Sequence, residues 1–439
     1  MKSIFILSAC LLLGACVSKE DSTIGETSIT QWKDNKLGAI SITFDDATIN
    51  QFRYALPILD SLGFKGTFFI NTGDIPGSTF PPRYFGKPLK DVITSAASSP
   101  TTQENLFERA SALRFVDIEN AIGFHNQAGS LYEQGELDQA YHVIDSAYAI
   151  AVKKKSYKEV RPVLLTGDVI TWPEIIKFAE RGHEFGNHTI THPRLAVLDE
   201  ANLRYEIEKC KEEILLQLGE QHTFSAECPF GTEDERVMQY AYKIHPALRN
   251  RMPEPFLEEL NRSSDKTPSS SKKEYVQWQR GPLQNISLDV MKSYVDTLLV
   301  HDNTWLVLTF HGVDGIGWEA KPHEELQAYF SYMKQHNDKL WVATFGDVTK
   351  YMRERMKSSL IVEKVGDKIK VQLNHALDPK MYAIPLTLKT YVDPTWTEVT
   401  VRQGDVSTKV PVLEGHDKKK YVVYDVAPNG EPTVLSKGL

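Results

Sequence analysis

The run Gly38-Ala39-Ile40-Ser41-Ile42-Thr43-Phe44 alternates in polarity, is rich in β-branched residues and stops at two adjacent acids, Asp45-Asp46. Those properties predict a strand that ends at the acids. A helical pattern follows over roughly 51–62, stopped by Gly63, and Lys65-Gly66-Thr67-Phe68-Phe69-Ile70 predicts a second strand. Strand, helix and strand at this spacing form a βαβ unit, which requires a parallel sheet. Reactive groups collect at the carboxyl ends of parallel strands in barrels, and Asp45-Asp46 occupy such an end. Neighbouring carboxylates repel, so a cation or a shared proton must offset them. A turn with helix-capping acids is the alternative at this point.

The alternation of strand and helix breaks over 74–167. That stretch opens with a Pro/Gly-rich loop and continues with helical patterns such as Leu131 to Ala140, so it reads as a helical insertion. The βα texture resumes with a helix starting near Trp172-Pro173, where proline suits the first turn. A long amphipathic helix is expected over about 198–218, a loop over 252–274, and a helix over 287–300. Strand Trp305–Phe310, helix 323–335, strand Leu340–Phe345 and helix 347–356 complete the pattern. From 358 to 439 short alternating runs, such as Ile369 to Leu373 and Tyr421 to Tyr424, are separated by Gly, Asp and Pro. That predicts a small all-β sandwich domain. Its aromatics Tyr391, Trp396 and Tyr424 are expected to pack a core rather than bind a ligand.

At the start, Lys2 precedes a short apolar run, Ile4 to Leu13, which is too short to span a bilayer as a mature helix. It ends in Leu13-Gly14-Ala15-Cys16, which resembles a bacterial lipoprotein signal, with Cys16 as the lipid attachment site. Residues 1–16 are then the signal and its lipid site, 17–30 a tether, and 31–356 the main domain. The implied location is a bacterial envelope, at the outer membrane or cell surface, with the lipid as the only membrane contact. A net charge of −8 leaves no basic footprint, which argues against nucleic acid as a partner.

Further along, His188-Thr189-Ile190-Thr191-His192 places two imidazoles four residues apart between Gly186 and Pro193. Two histidines and one aspartate make a three-ligand site with a position open for water, as catalytic zinc requires. His311 closes the apolar run from Trp305 to Phe310 and so lies at another strand end. A lone histidine is more often structural, but one at the same rim joins the candidate site.

Together these motifs resemble the polysaccharide deacetylase family, also known as the NodB homology domain or carbohydrate esterase family 4. The residues that carry the resemblance are Thr43-Phe44-Asp45-Asp46, Gly182 to His192, and Leu306 to His311. The resemblance implies a distorted (β/α) barrel. It implies that Asp46, His188 and His192 hold a divalent metal, with Zn2+ expected and Co2+, Ni2+ or Mn2+ as alternatives. Asp45 would be the general base, His311 the acid for the leaving group, and the Phe230 backbone N–H an oxyanion donor. One motif departs from the family. Where most members read Arg-x-Pro-Tyr-Gly, this chain has Glu227-Cys228-Pro229-Phe230-Gly231. A charge-reversed pair of Glu227 with Arg280 is the expected replacement for tuning the base.

The activity implied is hydrolysis of acetyl groups on a glycan, with N-acetyl groups of an amino-sugar polymer or oligomer first. O-deacetylation of a plant or algal polysaccharide uses the same centre. A non-catalytic surface glycan-binding lipoprotein is the alternative from another class, and retention of all five polar residues argues against it.

Overall fold

The structure is a computed structural model and describes residues 23–155, 157–163, 167–281 and 283–438. It separates into two compact units, one of residues 31–357 with 377–384, the other of residues 23–30, 358–376 and 385–438.

The larger unit is built on nine parallel strands. Their order is Ala247–Leu248, Ser225–Ala226, Glu184–Asn187, Thr67–Ile70, Gly38–Asp45, Thr304–Phe310, Tyr275–Arg280 and Leu257–Leu260. Leu340–Val342 pairs with Gly38–Ile40 beside this path. The two end strands are consecutive in sequence, so the connection 249–256 rather than a hydrogen-bonded ladder spans the gap of a distorted (β/α) barrel. Gly38–Asp45 is buried along its whole length, as expected for a parallel strand covered on both faces.

Period-two alternation gives that strand two faces. Ile40, Ile42 and Phe44 join Phe68, Leu306, Leu308 and Phe310 in one core. Ala39 joins Phe69, Trp305 and Val307 in another, and Ser41, Thr43 and Asp45 continue that second face. Its polar groups are satisfied there: Trp305 Nε1 donates to Ser41 Oγ at 3.0 Å and Thr43 Oγ1 to the Leu308 carbonyl at 2.8 Å. Hence a side chain at position 45 emerges at the rim, on the inner face.

Several strands were not legible in the sequence. The reading of 252–274 as a loop is corrected by Leu257–Leu260, whose two central glutamates hide the alternation. The expected helix over 198–218 forms as Glu200–Arg204 and Cys210–Leu218 with a wide turn, Tyr205–Lys209, between them. Within 74–167 lie helices Leu89–Ser98, Leu106–Leu113, Ala121–Glu133 and Leu137–Lys154, packed on their own apolar cluster around Ile93, Leu113, Ile144 and Tyr148.

The smaller unit has two antiparallel sheets, of four and five strands. Trp396 and Tyr424 are buried in it, and Tyr424 shares a hydroxyl hydrogen bond with Thr390 at 2.7 Å. The tether expected over 17–30 needs correction over its described end. Thr27–Ile29 is a strand paired antiparallel with Leu388–Thr390, too short and polar to announce itself. Cys16 and the rest of 1–22 lie outside the described residues.

Candidate active site

The first strand ends because Asp46 and Ala47 take left-handed backbone conformations, φ 75° and 56°. Thr189, His192 and Phe230 do likewise at 69°, 49° and 64°. Non-glycine residues in that region cost on the order of 1–3 kcal/mol each and gather at functional sites, held there by their surroundings.

Those surroundings are specific. Gln51, fully buried in a wide helical turn, donates through Nε2 to the Asp45 carbonyl and, at 2.7 Å, to the His311 carbonyl, which ties two strand ends together. The histidine loop is clamped from two sides. Glu206, in the wide turn Tyr205–Lys209, accepts from the Ile190 and Thr191 backbone N–H groups at 2.9 and 2.8 Å. Arg114, from the insertion, donates to the Thr191 carbonyl and hydroxyl at 2.6 Å and pairs with Glu206 at 3.2 Å. His125, also from the insertion, accepts the Arg194 N–H at 3.1 Å.

Five of the sequence candidates converge. Asp46 Oδ1 lies 3.5 Å from His188 Nε2 and 3.3 Å from His192 Nε2. Metal bonds of about 2.0–2.1 Å at a tetrahedral angle set ligand atoms roughly 3.3 Å apart, so the triangle fits a divalent cation. His188 Nδ1 lies 2.8 Å from the Glu227 carbonyl, a partner that fixes Nδ1 as the protonated nitrogen and leaves Nε2 to face Asp46. Burial, the largest influence, and the nearby His188 bring His192 down to about 4 against the pull of Asp46, so its ring is neutral at neutral pH. The Asp46 carboxyl is held low: burial raises it, but the hydrogen bond and charges of the histidines outweigh that. The donor set of two imidazoles and one carboxylate suits a divalent first-row metal.

On the other side of Asp46, His311 Nε2 stands 3.5 Å from Asp45 Oδ2, with the Trp318 ring edge-on at 4.6 Å. Burial pushes His311 down, aided by Arg249 and Arg262 and opposed by Asp45 and Asp46. Asp45 is gripped by Arg249, Nη1 to Oδ1 at 2.9 Å and Nη2 to Oδ2 at 2.5 Å. The same guanidinium reaches Glu227, Nη2 to Oε1 at 3.0 Å and Nε to Oε2 at 3.2 Å. Burial raises both carboxyls. The charges of Arg249, His188 and His311 overcome it at Asp45, while at Glu227 burial wins over the pull of Arg249.

The expected Glu227–Arg280 pair is therefore wrong in its cation. Arg280 shares strand parity with Val276 and Trp278, which face the outer core, and its guanidinium stacks over Trp278 at 4.5 Å. Gln279 has the inward parity and donates to the Arg249 carbonyl at 2.8 Å. Arg249 was missed because it follows a strand of two residues, Ala247–Leu248, too short to show a pattern. Asn250 next to it donates to Glu227 at 3.1 Å and completes the site's polar shell. The five residues line a cavity of about 510 Å3 with Asn126, Arg194, Phe230, Arg262 and Trp318.

This rim sets a triangle of metal-ligand side chains beside an ion-paired carboxylate at the ends of parallel strands. Residues 136–247 match the family model described as polysaccharide deacetylase, and the chain carries a domain of that family. A stretch of 266 residues, 57% of this chain, is 24% identical to a gellan lyase from a Bacillus species. It spans only 10% of that protein's length. Among solved structures, a peptidoglycan N-acetylglucosamine deacetylase is 14% identical, with 72% of this chain and 88% of that one covered at a TM-score of 0.35. A peptidoglycan deacetylase from Bacillus subtilis is 11% identical, covering 72% and 93% at 0.32. The esterase family 4 domain of a multidomain xylanase from the hindgut metagenome of Trinervitermes trinervoides is 12% identical, covering 71% and 89% at 0.31.

Proposed function

We propose that the chain is a divalent-metal-dependent hydrolase that removes N-acetyl groups from an amino-sugar glycan. The observation that carries this reading is the triangle of Asp46 Oδ1 with the two Nε2 atoms at 3.3 and 3.5 Å, flanked by the Arg249-held Asp45 and by His311. A cation bound by Asp46, His188 and His192 supplies polarisation of the acetyl carbonyl and lowers the pKa of water there.

The remaining work belongs to the chain. Asp45, kept ionised and oriented by the Arg249 fork, accepts a proton as water attacks the carbonyl carbon. The Phe230 N–H donates to the carbonyl oxygen as negative charge gathers on it. His311 Nε2 carries a proton to the departing nitrogen as the C–N bond breaks, and acetate and a free amine leave. The gap of 3.5 Å between His311 and Asp45 closes to a hydrogen bond with a small movement, which gives the proton a path between base and acid. Zn2+ is the proposed ion.

Acetate release from a panel of N-acetylated and O-acetylated glycans, with zinc supplied, tests this. Release from N-acetylated members, abolished by Asp45→Asn, is expected. Release from O-acetylated members alone would replace the amidase reading with an esterase, and release from none would remove both. The lipid attachment at Cys16 and the envelope location belong to the same proposal, and fatty-acid labelling that is lost in Cys16→Ala tests them.

A further inference from the structure

The cavity at the five-residue site does not end at Phe230. Beyond Phe230 and Gly231 a second cavity of about 930 Å3 opens, floored by the helical insertion. The two spaces share those residues in their linings and so adjoin each other. Each falls within the range of about 300–1,000 Å3 usual for ligand sites, so the two together exceed what one sugar unit needs.

Three insertion helices contribute an aromatic side chain apiece: Phe107, Tyr132 and Tyr141. Arg236 lies over Phe107 at 4.7 Å and Tyr132 meets it edge-on at 5.6 Å, so Phe107 acts as the support. Tyr132 and Tyr141 are half-buried, and among the described residues neither hydroxyl makes a hydrogen bond. A solvent-facing ring beside an unengaged phenol presents an apolar face and a hydrogen-bonding edge together. A pyranose offers the complement, with C–H groups on its face and hydroxyls on its edge.

The acidic side chains of the second cavity are each held by a neighbour. Glu133 pairs with Arg194 and accepts from Thr232. Glu233 accepts from Asn261 at 3.1 Å, and Asp234 caps the helix Glu235–Ile244 through the Val237 N–H at 3.0 Å. The second cavity thus offers a ligand aromatic rings among carboxylates, which fits an uncharged glycan better than an acidic peptide or a nucleic acid.

We propose that the insertion forms distal sugar-binding subsites. The glycan runs from the metal triangle over Phe230 and stacks its following units on Tyr132 and Tyr141, so the enzyme acts within chains rather than on free monosaccharides. This inference rests on the deacetylase reading and adds where the substrate lies and how long it must be.

The test uses the full chain with zinc and β-1,4-linked N-acetylglucosamine oligomers from dimer to hexamer. Acetate release should give a kcat/KM about tenfold higher for hexamer than for dimer. Tyr132→Ala and Tyr141→Ala should each lower hexamer kcat/KM about fivefold or more and leave the dimer within about twofold. Calorimetry of hexamer binding to the Asp45→Asn chain reads the groove apart from catalysis, and adding Tyr141→Ala should weaken that binding by about the same factor. Length-independent rates, equal losses on dimer and hexamer, or hexamer binding indifferent to Tyr141→Ala would overturn the subsites. Absence of acetate with Tyr141-dependent hexamer binding intact would support the groove and overturn the deacetylase reading alone.

Discussion

Replacing Arg249 by methionine keeps the aliphatic stem and removes the guanidinium. Among the described residues that guanidinium is the only cation paired with both Asp45 and Glu227, through contacts of 2.5–3.2 Å, and all three side chains are no more than 4% exposed. Losing one partner of a buried ion pair costs about 3–5 kcal/mol, because the other charge stays buried and uncompensated. For a unit of this size that lowers the thermal midpoint by roughly 4–7 °C. Catalysis should suffer separately: Asp45 loses the fork that orients it, and a mispositioned base costs about 100-fold in kcat with KM little changed. Arg249→Lys restores a charge but not the two-pronged geometry, so it should recover much of the midpoint and little of kcat. Glu227→Gln should cost less than Arg249→Met, since Arg249 keeps its two bonds to Asp45 and Asn250 keeps an acceptor at position 227. Glu227→Arg combined with Arg249→Asp recreates the charge order of the family motif and should exceed either single variant in activity. Differential scanning fluorimetry and acetate release under saturating zinc read both effects. An Arg249→Met chain with unchanged midpoint and kcat would refute the reasoning.

The clamp on the histidine loop predicts that Arg114→Ala, which strands Glu206, costs about 3–5 kcal/mol and weakens zinc binding about 10–100-fold, measured by melting and by chelator competition. Glu259 accepts one backbone N–H at 2.9 Å, but burial and the neighbouring Glu254 and Glu233 push its carboxyl up to about 8. The folded chain therefore holds that proton more tightly than the unfolded one, and this group's contribution to stability falls as pH rises from about 4.5 to about 8. Glu259→Gln should flatten the fall in midpoint across that window, and an unaltered pH profile would contradict it. Cys210 and Cys228 are buried free thiols, with burial pushing Cys210 up to about 12. Both should resist iodoacetamide in the native chain at pH 8 and react fully in guanidinium.

The residues of the reactive centre were legible because each closes a long apolar strand or sits in a constrained loop beside one. Asp45 ends an alternating run of eight residues and His311 follows an apolar run of seven. Arg249 and Asn250 were not legible, since their strand has two residues and no period can be read from two. Arg280 was misjudged for a related reason: without knowing that Tyr275–Arg280 is a strand, its outward parity was invisible. Gln51, Arg114 and Glu206 act through main-chain groups that only the folded loops bring near. Tyr132 and Tyr141 read as ordinary helix residues until the insertion is set beside Phe230.

The central claim is that Asp46, His188 and His192 hold one divalent ion on which acetate release depends. Acetate release is measured after chelator treatment while zinc is returned in sub-stoichiometric steps. The expected result is activity lost on chelation and restored linearly to a break at one equivalent, with Asp46→Ala and His188→Ala inactive and without the break. Activity that survives chelation, or a break that persists in those variants, would contradict it.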